Sequence, residues 1–188
     1  RLSDRVDHWI TQNEPQCYIG SGMASGIHAP GLKMNKKDCL QAAHNSLLAH
    51  GRSIQAIRAE ARKTPVIGYA PAAWWLWSPV SDDPADIEAC RKQTFCADED
   101  QVGGSAWWMD PVFLGKYPES AVKIVEEYMP RIGQGDMKLI SQPVDFLGIN
   151  VYQTYLGKAA EDGSCITVDH KPGYDKTAYP WPGSLLGT

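Results

Sequence analysis

Three short stretches of this chain are rich in β-branched and aromatic residues, and helical patterning lies between them. The first, Val6 to Thr11, runs into the polar turn Gln12-Asn13-Glu14-Pro15. The second, Val66-Ile67-Gly68-Tyr69-Ala70, leads to Trp74, Trp75 and Trp77, and the third, Val144 to Val151, is apolar apart from Asp145 and Asn150. Short, nearly continuous apolar runs are what strands covered on both faces require. Strand, helix, strand, helix, strand is then the order of a parallel sheet with right-handed crossovers, either an open doubly wound sheet or part of a closed barrel. No Gly-x-Gly-x-x-Gly or P-loop pattern follows any of the strands, which weakens a nucleotide-binding open sheet. Polar residues at the strands' carboxyl ends favour an α/β fold of the TIM (β/α)8 type.

Between the first two strands, Leu40, Ala43, Leu47, Ile54, Ile57 and Ala61 recur at helical separations, which predicts an amphipathic helix from about Asp38 to Arg62. Thr64-Pro65 stops it, because proline disfavours helical conformation in the preceding residue. Asp82-Asp83-Pro84 has the form of a helix start, and that helix is expected to run to about Cys96. Val122, Val125 and Met129 predict a short helix ended by Pro130. Gly20 to Gly31 and Trp107 to Pro118 are expected as loops, and a Gly- and Pro-rich tail closes the chain.

A net charge of -4 with 43% hydrophobic residues describes a globular chain without a basic stripe, so neither nucleic acid nor an anionic membrane surface is an expected partner. No apolar run is long enough to span a membrane. Five cysteines, an odd number with no Cys-x-x-Cys pair, indicate neither a disulfide framework nor a zinc site, and His44 and His50 lack metal-ligand spacing. No metal site is therefore expected. Without a recognisable signal peptide, the expected location is cytoplasmic. The seven tryptophans and eight tyrosines cluster with glycine and proline, a pattern that fits either a lined cleft or packing beneath long loops.

The segment Trp9-Ile10-Thr11-Gln12-Asn13-Glu14-Pro15 resembles the TxNEP sequence that ends the fourth barrel strand in glycoside hydrolase family 1, the β-glucosidase family. Further segments follow in the family's order. Gly26-Ile27-His28-Ala29-Pro30-Gly31 resembles the loop after that strand, and His44-Asn45-Ser46-Leu47-Leu48-Ala49-His50 the helix behind it. Trp108-Met109-Asp110-Pro111-Val112-Phe113 with Gly115-Lys116-Tyr117-Pro118 is similar to the WxxDPxxxGxYP loop, and Asp145 to Tyr152 to the sixth strand. The resemblance implies an internal part of a barrel, about the fourth to sixth strands, with residues 1–188 forming a single partial catalytic domain that other barrel segments complete.

What it implies chemically is a retaining β-glycosidase acting on β-linked glucosides or oligosaccharides by double displacement. That reaction needs one carboxylic acid to protonate the leaving oxygen and a second carboxylate as nucleophile. Glu14 corresponds to the acid/base. Asn13 offers an amide to the sugar 2-hydroxyl, Tyr152 corresponds to the residue whose hydroxyl orients the nucleophile, and Asn150 lies near the same rim. Gln16, Trp74, Trp75 and Trp77 are candidates for the aglycone side; for the tryptophans, packing stands as an equal alternative. His28 and Asp110 are expected to serve loop architecture.

Some of the family pattern is absent. No segment resembles the seventh-strand TENG motif that carries the nucleophile, nor the early strands with their Gln, His and Trp sugar contacts. Asp145 cannot stand in, because five residues of strand at about 3.3 Å each put it roughly 17 Å from the rim. Gln16 occupies a place where many relatives carry an aromatic. The expectations are that the chain begins mid-helix and stops early, that its open sheet edges disfavour folding alone, and that by itself it does not hydrolyse glycosides. The rival function is a sugar-binding pseudoenzyme that kept the cleft and lost the chemistry; an inverting hydrolase would instead hold its carboxylates about 6.5–9.5 Å apart.

Overall fold

A computed structural model describes residues 2–73, 76–96, 104–151 and 154–168. They fall into two compact units, residues 2–72 with 104–150 and residues 73–96 with 151–168 as far as these are described.

The first unit is built on a parallel sheet. Strand β1 (His8–Asn13) pairs with β2 (Val66–Ala70), and β2 pairs with β4 (Phe146–Leu147), so the order is β1-β2-β4. The long helix α1 (Lys36–Glu60) connects β1 to β2, the crossover that parallel pairing demands. Its start is a reciprocal cap: Asn35 Oδ1 accepts from the Asp38 N–H while Asn35 Nδ2 donates to the Asp38 carboxylate, both near 2.9 Å. Leu40, Ala43, Leu47 and Ile54 are buried as the spacing predicts. Ile57 and Ala61, further along the stripe, line a groove of about 240 Å³ with Trp9.

Residues on the α1 side of the sheet, Ile67 and Tyr69, are fully buried, whereas Ile10 on the opposite face is 52% exposed. A parallel sheet ordinarily has both faces covered; the described residues cover one. The third strand is shorter and wetter than expected. Of Val144 to Val151 only Phe146–Leu147 is strand, and Leu147, Ile149 and Val151 are all at least 40% exposed. As an edge strand, β4 has one pairing partner among the described residues, which is why apolar sequence there does not produce burial.

Trp107 to Pro118 is the clearest departure in secondary structure. Ser105–Phe113 forms helix α3 with Pro111 inside it, and Asp110, expected in a loop, lies on that helix. Burial overrides propensity here: Trp107, Trp108 and Val112 enter one core with Leu40, Leu47, Tyr69, Tyr117 and Ile140. Helix α4 (Glu119–Ile124) and a 3-10 turn at Glu126–Tyr128 replace the single short helix, and α5 (Asp136–Ile140) packs on α1 at Gly51. A methyl group at Gly51 would lie 2.2 Å from the Leu139 carbonyl oxygen, so only glycine permits that approach.

In the second unit, helix α2 (Pro84–Phe95) begins and ends where the sequence indicates, with Asp83 capping it through the Ala85 N–H. It packs on a separate sheet in which β3 (Trp77–Pro79) pairs in parallel with β5 (Tyr155–Ala159), itself paired antiparallel to β6 (Cys165–Val168). That hairpin lies in what the sequence presents as the start of the tail. Its turn carries Asp162-Gly163, with Gly163 at φ 78°.

Candidate active site

The carboxyl ends of the three parallel strands converge on Glu14. The Glu14 N–H donates to the Ala70 carbonyl at 2.8 Å, the Asn150 N–H donates to the Pro71 carbonyl at 3.3 Å, and Ala72 forms a lone parallel bridge with Asn150. Position outside the carboxyl ends of parallel strands is where barrel enzymes hold their reacting groups. At the other end of the sheet, Asp145 ties to the Ile67 backbone, its carboxylate accepting from that N–H at 2.7 Å. It is thus a bottom-face residue, as its place in the sequence implies.

The register explains how the motif aims its side chains. Ile10 pairs with Gly68 and Asn13 with Ala70, so β1 spends three steps where β2 spends two. This bulge lets the consecutive residues Thr11 and Gln12 both reach α1, which a regular strand forbids. Thr11 Oγ1 sits 2.6 Å from His50 Nδ1, and Gln12 bridges the Ser46 carbonyl (2.7 Å) and hydroxyl (3.1 Å). Tyr18 closes the network on the Ser46 hydroxyl at 2.5 Å. With those two residues anchored, the chain turns at Glu14, which has φ 46° and is the only non-glycine residue in left-handed conformation among the described residues. That strain costs on the order of 1–2 kcal/mol and is of the kind found where function dictates backbone geometry.

The carboxylate is held from two sides. Asn150 Nδ2 donates to Glu14 Oε1 at 2.8 Å and also to Asn13 Oδ1 at 2.8 Å. The Cys17 thiol donates to Glu14 Oε2 at 3.1 Å; burial first, and then the neighbouring carboxylate, push that thiol up to about 11, so it stays a donor near neutrality. Glu14 itself is half-buried and Asn13 exposed. Because Asn13 presents its carbonyl oxygen to Asn150, its Nδ2 is left facing outward as a donor.

Of the expected site residues, then, Asn13, Glu14 and Asn150 form one hydrogen-bonded cluster. Gln16 does not join them. It is 3% exposed, its Nε2 donates to the Ala72 carbonyl at 2.9 Å, and its Oε1 accepts from the Ala72 N–H at 3.2 Å. That amide bonds the end of β2 as a neighbouring strand would, so Gln16 serves here as a structural tie. Trp77 belongs to β3, where its ring stacks on Tyr155 at 4.9 Å. Trp74, Trp75 and Tyr152 lie outside the described residues. His28 fits the loop role, its backbone bonded to Ser21 and Gly31. Sequence reasoning missed Cys17 altogether; its three-residue spacing from Glu14, which one turn brings together, was the available signal. Among the described residues no group of three His, Cys, Asp or Glu could hold a metal, and no helix is long and apolar enough to cross a membrane.

A glutamate on the carboxyl rim of a parallel α/β sheet, flanked by asparagines, defines a barrel-type carboxylate site. Comparison with known proteins places it further: the family model for glycosyl hydrolase family 1 matches residues 1–183, and the chain belongs to that family. It is 34% identical to β-glucosidase A of Acetivibrio thermocellus over 185 residues, 96% of this chain and 39% of that protein. It is 32% identical to β-glucosidase A of Thermotoga maritima, over 96% of this chain and 38% of that protein. Among solved structures, the Thermotoga maritima β-glucosidase in complex with glucoimidazole superposes with a TM-score of 0.65 at 32% identity, covering 89% of this chain and 36% of that one. A β-glucosidase from Exiguobacterium marinum gives 0.65 at 31%, covering 93% and 38%. The chain therefore spans about two fifths of the length of the relatives it matches. The family's structures are TIM barrels, and this chain supplies part of one.

Proposed function

We propose that residues 1–188 contribute the acid/base portion of a retaining β-glycosidase, a single catalytic domain that other barrel segments complete. Glu14 protonates the departing glycosidic oxygen in the first displacement and takes a proton from water in the second, while the nucleophilic carboxylate comes from outside this chain. Asn13 donates to the sugar 2-hydroxyl. Asn150 holds the Glu14 carboxylate, and Tyr152 orients the nucleophile. The substrate class is a β-linked glucoside or oligosaccharide, with the tryptophans at 74, 75 and 77 as candidate aglycone contacts. No cofactor takes part.

The observation that carries this reading is the Glu14 carboxylate at the strand ends, in a strained backbone conformation and gripped by Asn150 and Cys17. A residue needed only for the turn would be replaced by glycine without loss, whereas a proton donor requires this reach and orientation. In the full-length protein, Glu14→Gln is expected to cut kcat/KM on a disaccharide by about 10²–10⁴-fold, with a far smaller loss on a dinitrophenyl glucoside, whose leaving group needs no proton. Equal losses on both substrates would reject the acid role. The 188-residue chain alone is expected to show no turnover of either substrate; turnover abolished by denaturation would reject the external nucleophile.

A further inference from the structure

Two cysteines that lie 75 residues apart in sequence meet in the second unit. Cys90 Sγ on α2 stands 3.8 Å from Cys165 Sγ on β6, in van der Waals contact with no atom between them. Their meeting is fixed by more than the sulfurs. One turn before Cys90, Asp86 accepts from the Ala159 N–H at 2.8 Å and from the Ser81 hydroxyl at 2.6 Å. Ala159 is the residue that pairs with Cys165 across the hairpin. Asp86 and Cys90 share the helix face turned to that hairpin, so the polar contact holds the helix where the sulfurs meet. The space they occupy is open because residue 157 is glycine: a methyl group there would lie 2.5 Å from Cys90 Sγ and 2.6 Å from Cys165 Sγ.

We infer that Cys90 and Cys165 form an oxidative cross-linking site, at which a low-molecular-weight disulfide such as oxidised glutathione converts the pair to an intramolecular disulfide fastening α2 to the β5–β6 hairpin. A bond of about 2.05 Å requires the sulfurs to close by nearly 2 Å through rotation of the side chains. Cys165 is the entry point, since Cys90 is 1% exposed. The Cys165 thiolate attacks one glutathione sulfur, the reagent's S–S bond breaks, and one glutathione leaves as its thiolate. The Cys90 thiolate then attacks Cys165 Sγ in the mixed disulfide and expels the second glutathione. Two protein thiols are oxidised, one glutathione disulfide is reduced to two thiols, and each protein sulfur gives its proton to water.

Burial raises both thiols, Cys90 to about 12, so the exchange is slow at neutral pH and quickens as alkali supplies thiolate. This reactivity distinguishes the pair from a surface cysteine trapped by glutathione.

The test uses the reduced full-length protein, incubated with oxidised glutathione between pH 7 and 9.5, quenched in acid, then alkylated after denaturation and digested. The expected result is a cross-linked peptide joining Cys90 to Cys165, formed about tenfold faster per pH unit over the lower part of that range, reversed by dithiothreitol and accompanied by a rise in the melting temperature. Cys165→Ser and Cys165→Ala should each leave Cys90 alkylated. A stable mixed disulfide on Cys165 with Cys90 alkylated, or both cysteines alkylated at every pH, would overturn the proposal. Cross-linking of either cysteine to Cys17, Cys39 or Cys96 instead would do the same.

Discussion

Polar side chains occupy two contrasting settings in the parallel unit, the carboxyl rim and the buried face of α1. On α1, His44 and His50 are fully buried. His44 lies between the Tyr117 hydroxyl at 2.8 Å and the Asp136 carboxylate at 3.1 Å, and that hydrogen bond, with the Gly133 N–H, holds the Asp136 carboxyl below its usual range. His50 has Thr11 on Nδ1 and no partner on Nε2 among the described residues. At the rim, Glu14 is half-buried, its backbone is strained, and its carboxylate is oriented by donors instead of being enclosed. Buried polar groups tie α1 to β1 through His50 and to Tyr117 and α5 through His44, whereas the rim group accepts strain so that its carboxylate stays available. Stability and chemistry should therefore separate cleanly when the two places are perturbed.

The largest separation is expected from Glu14→Gly in the full-length protein. Activity on disaccharides falls by about 10²–10⁴-fold, while thermal or urea unfolding shows stability unchanged or raised by about 1 kcal/mol, because glycine adopts positive φ without strain. A variant that lost both activity and several kcal/mol would break the contrast.

Next comes the pH dependence of His50. Burial lowers its pKa to about 4, below the roughly 6.5 of the unfolded chain, so the neutral form belongs to the folded state. Its stabilising contribution is complete above about pH 6.5 and is lost as pH falls towards 4, by on the order of 3 kcal/mol. Urea titrations should show that slope, and His50→Leu should flatten it. His44→Phe acts at all pH values, stranding the Tyr117 hydroxyl and freeing Asp136, at a cost of about 2–3 kcal/mol in unfolding free energy. Smallest is Asn150→Ala, which removes one donor from Glu14 and is expected to reduce kcat/KM by about 10-fold, or 1.4 kcal/mol, with little change in melting.

Much of this contrast is legible in the sequence, through different signals. The α1 stripe at Leu40, Ala43, Leu47 and Ile54 reports burial directly, because helical spacing and packing agree. The Asn13-Glu14-Pro15 turn is legible only through resemblance, since an isolated Asn-Glu-Pro carries no structural weight. Three things were hidden for physical reasons. Helix α3 forms around Pro111 because Trp107 and Trp108 gain more from the core than the proline costs. The strand through Val144 to Val151 shrinks because β4 is an edge among the described residues, a matter of neighbours and not of its own sequence. The Cys17 contact with Glu14 and the Gln16 tie to Ala72 follow a backbone that turns left-handed at Glu14, which no periodicity predicts.

The central claim is that Glu14 serves both displacements, first as acid and then as base. Turnover of a dinitrophenyl glucoside by full-length Glu14→Ala, measured with and without sodium azide, tests this most directly. Without azide the sugar-enzyme intermediate should accumulate after an initial burst, because no base activates water. Azide needs no base and should restore steady turnover, yielding a β-glucosyl azide. Steady turnover that azide does not accelerate, with no burst and no azide product, would contradict the account.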